Sequence, residues 1–62
     1  MRPKIGQKVR FKQIGTQEIR EGTVKYIESP RFQKHLQRTQ YEVESEGKLY
    51  YLNSNELIGY VR

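Results

Sequence analysis

The chain has no cysteine and no aspartate, and it carries one histidine, His35. Without cysteine there can be no disulfide and no thiolate metal site. A structural zinc site needs about four histidine, cysteine or carboxylate ligands, and this residue set offers no convincing combination of them. A nucleophile–histidine–acid constellation would have to draw His35, a serine and a glutamate together from flexible loops. No glycine-rich loop is present to cradle a phosphate. The longest run of large hydrophobic or aromatic residues is Leu49-Tyr50-Tyr51-Leu52, far short of the roughly 20 residues of a membrane span. The start, Met1-Arg2-Pro3-Lys4-Ile5-Gly6, lacks the apolar stretch of a signal peptide. These absences lead to the expectation of a cytoplasmic protein that is not an enzyme and has no cofactor, no metal and no membrane partner.

What is present is small and basic. The 62 residues allow a single domain, 1–62. Such a chain buries only about 60% of the surface its unfolded form exposes, so its core must be thin. The formal net charge is +5, a balance that attracts polyanions over long range. Tyrosine supplies five of the seven aromatic residues, which suits half-buried sites where the ring is covered and the hydroxyl stays wet.

Apolar residues alternate with polar ones in short segments. From about Lys8 to Gln13, Val9 and Phe11 share one face while Lys8, Arg10 and Lys12 share the other, the pattern of a half-buried strand. Gly6 and Gly15 bound it. A second strand is expected from about Glu21 to Glu28, with Val24 and Tyr26 on one face; Ile27 interrupts the polar face and points to a bulge nearby. Pro30 ends this strand. Ser29-Pro30 can open a short helical turn with Phe32 and Leu36 on one side, or 29–38 is an ordered loop. A hairpin follows: Thr39 to Glu44 with Tyr41 and Val43 inward, a tight turn at Ser45-Glu46-Gly47, and a return along Lys48 to Leu52. Asn53 and Glu56 have the spacing of a capping box in a segment too short for anything but a 3-10 turn. A last strand, Ile58 to Arg62, completes an all-β domain. The expected core is Val9, Phe11, Val24, Tyr26, Tyr41, Val43, Leu49, Tyr51, Leu57 and Ile58. Closure into a barrel would pair the edges that a short open sheet exposes.

The succession Gly6-Gln7-Lys8-Val9-Arg10-Phe11, Gly22-Thr23-Val24, Tyr41-Glu42-Val43 and Asn55-Glu56-Leu57 before a short final strand resembles the SH3-like barrel superfamily. It is similar in order to KOW-type ribosomal modules, the photosystem I reaction-centre subunit IV family, the type II dihydrofolate reductases, and small phage or prophage barrel proteins. The resemblance spans nearly the whole chain apart from the insertion at about 29–38. It implies a five-stranded SH3-like barrel with a 3-10 turn before the last strand, of bacterial or phage origin. It carries fold and not activity. The reductases depend on a Val-Gln-Ile-Tyr strand, whereas Leu49-Tyr50-Tyr51-Leu52 stands in the nearest position here, so that activity is not carried over. The Gly22-x-Val24 step of a KOW motif is present without the surrounding glycine-rich pattern.

Two binding surfaces suggest themselves. Lys8, Arg10 and Lys12 on one strand face, with Arg31, Lys34 and Arg38 in the insertion, form a candidate nucleic-acid site, with Tyr50 and Phe32 as possible stacking platforms. Against it stands an ordinary solvated basic face neutralised across the sheet by Glu18, Glu21 or Glu28. The second candidate is a protein-binding face made of Phe32, Tyr50, Leu52 and Tyr60, a tyrosine-rich outer surface of the last strands. Against it stands the reading that Phe32 and Leu36, which need burial themselves, fold over that surface. Glu42, Glu44 and Glu46 share the solvent face at strand spacing and read as solubilising charge. His35 reads as an exposed loop residue. The expected module is a monomer or weak dimer.

Overall fold

Alternation at Lys8–Phe11 places Val9 and Phe11 on one side of an extended segment, and this segment is strand β1. A computed structural model describes residues 1–31 and 34–62 of the chain. After β1 come β2 (Arg20–Glu28), β3 (Gln40–Ser45), β4 (Lys48–Asn53), a 3-10 turn at Ser54–Glu56, and β5 (Leu57–Tyr60). All five strands belong to one antiparallel sheet in the order β4-β3-β2-β1-β5. No ladder joins β4 to β5, so hydrogen bonding does not close the sheet on itself. The sheet nevertheless curls. Phe11 on β1 and Tyr50 on β4, with β2 and β3 between them in the sheet, meet with ring centroids 5.1 Å apart at a tilt of 52°.

The inner face of this curl is the core: Val9, Phe11, Val24, Tyr41, Val43, Tyr50, Leu52 and Leu57, with Ile27 packed against them. Each fully buried Val, Leu or Phe in such a core contributes about 1.5–3 kcal/mol relative to exposure. Among the described residues no helix is long and apolar enough to cross a membrane. In the insertion at 29–38, the described residues form turns and bends without a helix. The Ser29 hydroxyl accepts the Arg31 N–H at 3.2 Å, the bond an N-cap serine makes to the second residue after it, but only a turn follows at Pro30 and Arg31. Leu36 is half-buried, and Phe32 lies outside the described residues.

Four expected core residues face elsewhere, and two bulges and a turn explain all four. In β2, Val24 pairs with Val43 but Tyr26 pairs with Glu42, so Lys25 is an extra residue. The bulge swaps the faces beyond it: Tyr26 is 60% exposed, and Ile27, opposite Tyr41, turns inward. In β5, Leu57 pairs with Phe11 and Gly59 with Arg10, leaving Ile58 as the extra residue, 54% exposed.

The hairpin turn accounts for Leu49 and Tyr51. The expected three-residue turn at Ser45-Glu46-Gly47 would have set Tyr41 and Val43 opposite Tyr51 and Leu49. Instead Ser45 pairs with Lys48, so the turn holds only Glu46 and Gly47. Their φ values, 52° and 77°, suit the type I′ turn that two-residue hairpins favour. Val43 therefore faces Tyr50, and Tyr41 faces Leu52. A one-residue slip reverses every side chain of the strand. Tyr50 and Leu52 are consequently core residues, while Tyr51 is exposed and Leu49 half-buried.

Where β1, β2 and β3 meet, the curl leaves no space for a side chain at Gly22. A Cβ there would collide with the Glu44 carbonyl oxygen and lie 2.7 Å from Val43 Cγ1. Ser45 fixes the same corner by donating its hydroxyl to the Glu21 carbonyl at 2.7 Å.

Two stability predictions follow from this geometry. Gly22→Ala forces the β2–β3 ladder apart and should cost about 1–3 kcal/mol, read from the denaturant midpoint; an unchanged midpoint would contradict the close approach. Glu46→Asn places a residue tolerant of positive φ in the turn and should raise stability by about 0.5–1 kcal/mol in the same assay.

Candidate nucleic-acid interface

Strand alternation turns Lys8 and Arg10 to the outer face of β1, and Lys12 continues the series just past its end; all three are exposed. Arg10 lies opposite Glu21 on β2, and its Nε donates to Glu21 Oε2 at 2.8 Å. Both side chains are more than half exposed, so this pair contributes about 0–1 kcal/mol. Lys8 lies opposite the uncharged Thr23. Neither Lys8 nor Lys12 has a carboxylate partner among the described residues. Neutralisation across the sheet thus reaches one of the three β1 cations.

The 3-10 turn organises the end of the sheet near Lys12. The Asn53 side chain accepts the Asn55 N–H at 2.9 Å, and Glu56 Oε1 accepts the Asn53 N–H at 3.1 Å, completing the expected capping box. Glu56 does more than cap. Its Oε2 accepts the Ile14 N–H at 3.1 Å, and its backbone carbonyl accepts the Lys12 N–H at 2.9 Å. The β1–β2 loop is therefore tied to the 3-10 turn at two points. Beside the turn, an open groove is lined by Leu36, Arg38, Gln40, Tyr51, Asn53 and Glu56. Lys12 and Arg38 thus come to the same turn from two different loops, whereas Lys8 and Arg10 run away from it along β1. Arg31, Lys34 and His35 are exposed in the insertion.

The second expected surface is not built as its residues suggested. Tyr50 and Leu52 are 8% and 1% exposed, because the two-residue turn sends them inward. Neither can stack on a base or dock a partner. Tyr60 is 46% exposed, and Phe32 lies outside the described residues. The Tyr50 ring instead closes the core, with Arg20 Cζ 5.5 Å and Lys48 Nζ 5.4 Å from its centroid. Arg20 also pairs with Glu18 at 2.9 Å.

Elsewhere, the outer face is acidic. Glu28, past the Lys25 bulge on β2, and Glu42 and Glu44 on β3 turn outward, and none of them forms an ion pair among the described residues. Tyr26 and Tyr51 flank Glu42 on the neighbouring strands. Partial burial, and then the charge of Glu28, push the Glu42 carboxyl above the ordinary glutamate range. Glu42 and Glu44 share the solvent face as expected, whereas the tyrosines beside them were not anticipated. Their signals were the Lys25 bulge and the length of the hairpin turn, which together bring Tyr26, Glu42 and Tyr51 into one row. Among the described residues, no group of three or more His or Glu side chains is placed to hold a metal ion.

Comparison with known protein families, with curated proteins and with solved structures finds no match to this chain.

The raised Glu42 pKa has a definite sign in stability. A carboxyl that holds its proton more tightly in the folded state favours folding at low pH, and that contribution is lost as pH rises through the folded pKa. Glu42→Gln should therefore raise the thermal midpoint at neutral pH, with the gain shrinking as pH falls below the ordinary glutamate range. A gain independent of pH would contradict this.

Proposed function

We propose that the chain is a non-enzymatic binding module on an SH3-like barrel, contacting nucleic-acid phosphates through Lys8, Arg10 and Lys12, with Arg31, Lys34 and Arg38 adding charge from the insertion. The strand order β4-β3-β2-β1-β5, the 3-10 turn before β5 and the Phe11–Tyr50 contact across the curl support the barrel reading. One observation carries the functional reading: charge on the outer surface is segregated. Cations line β1, with only Arg10 neutralised, while Glu28, Glu42 and Glu44 gather on β2 and β3.

Alternate residues on a strand are about 7 Å apart, a spacing that lets Lys8, Arg10 and Lys12 meet neighbouring phosphates of one strand in turn. Contacts of this kind position a nucleic acid without reading its sequence, so base preference should be weak. The reading includes a cytoplasmic protein of bacterial or phage origin, acting as a monomer or weak dimer.

The test is fluorescence anisotropy with a short duplex and a short single strand across a salt series. Three to five phosphate contacts correspond to a log–log salt slope of about −2 to −4.5. Lys8→Glu with Lys12→Glu should abolish binding. Glu21→Gln, which releases Arg10 from its ion pair, should strengthen it. Affinity that ignores both salt and the double substitution would refute the reading.

A further inference from the structure

The β2–β4 outer face carries chemistry opposite to that of β1. Tyr26, Glu42 and Tyr51 are register partners on three successive strands, so the carboxylate stands between two tyrosines. The tyrosines are 60% and 59% exposed. Neither is needed to fill the core, which is complete without them. Glu28 follows Tyr26 by two residues on β2, and Glu44 follows Glu42 on β3, so two further carboxylates border the row.

Among the described residues no cation forms an ion pair with these carboxylates, and Lys8 is separated from Glu44 by Thr23 in their shared row. Lys25, in the adjacent bulge, is exposed and forms no ion pair among the described residues. Partial burial, and second the field of Glu28, hold the Glu42 proton more tightly.

Spacing selects the ligand. Residues two strands apart in a sheet are separated by about 9.5 Å. A flat group held in van der Waals contact between two rings needs about 7–8 Å, a gap reached by modest tilting of two exposed side chains toward each other. A cation in that slot meets two aromatic faces and, beneath them, a carboxylate. The guanidinium group fits all three demands. It is planar, stacks on aromatic rings, presents a donor fork matched to a carboxylate, and gives up its hydration more readily than an ammonium. A nucleic acid is repelled by the same three carboxylates.

We infer that Tyr26, Glu42 and Tyr51 form a receptor for an exposed arginine side chain of a protein partner, on the β2–β4 part of the same outer sheet surface whose β1 part is basic. This inference does not depend on the nucleic-acid reading, since the two sites share no residue.

An NMR titration of the isotope-labelled full chain tests it, with tetra-arginine, tetra-lysine and tetra-glutamate peptides as probes. Saturable amide shifts centred on Tyr26, Glu42 and Tyr51 are expected with tetra-arginine, weaker ones with tetra-lysine and none with tetra-glutamate. Tyr26→Ala and Glu42→Gln should each weaken tetra-arginine binding about five- to tenfold, as loss of one cation–π or carboxylate contact implies. Tyr26→Phe should keep it. The spectra of the free variants show that each is folded. Absence of saturable shifts, or equal affinity in all variants, would overturn the inference. So would concentration-dependent shifts of the same residues in peptide-free protein, which would assign the face to a second copy of the chain.

Discussion

Two positive φ angles, at Glu46 and Gly47, set the character of half the molecule. They close the β3–β4 turn in two residues and thereby decide which side chains of β4 point inward. With Tyr50 and Leu52 inside, the Phe11 ring has an aromatic partner across the curl. The curl is then held from β4 as well as from β1. With Tyr51 outside, the outer surface gains an exposed ring beside Glu42. One more residue in the turn would reverse both outcomes, leaving a core built on Leu49 and Tyr51 and an outer face of different chemistry.

The extra residues in β2 and β5 work by the same parity. Lys25 moves Tyr26 out and Ile27 in, and Ile58 leaves the β1–β5 ladder so that Leu57 can face Phe11. Bulges also bend the strands that carry them, which suits a sheet of five short strands that must wrap around one thin core. Gly22 belongs to this bending, since β3 lies so close that only hydrogen fits at its Cα. Curvature, face and surface chemistry thus come from a few local departures from strict alternation.

This explains what could be read from the sequence and what could not. The elements themselves were legible: five strands, their order along the chain, the hairpin, and the Asn53–Glu56 capping box. Val9, Phe11, Val24, Tyr41 and Val43 were legible as core, because each lies in a stretch of alternation; Leu57 was legible as an apolar residue after the capping box, ahead of the Ile58 bulge. Tyr26, Leu49, Tyr51 and Ile58 were not, because each follows or occupies an irregularity one residue long. Leu49-Tyr50-Tyr51-Leu52 is the hardest case, since both faces of the strand are apolar and hydrophobic pattern cannot choose between them. There the turn backbone decides, and Ser45-Glu46-Gly47 reads equally well as two residues or three. The basic series on β1 was legible from its spacing. The pairing of Arg10 with Glu21, which sets it apart from Lys8 and Lys12, depends on the β1–β2 register.

Glu56 spends both carboxylate oxygens on backbone N–H groups from two different segments, Asn53 and Ile14, and its own carbonyl holds Lys12. If either the β1–β2 loop or the 3-10 turn leaves its place, the Ile14 and Lys12 N–H groups lose their acceptors on Glu56. The two therefore open as one cooperative unit rather than fraying separately. The groove beside them inherits that behaviour, because Asn53 and Glu56 are part of its wall. Any molecule that orders the loop at Ile14 also orders the groove.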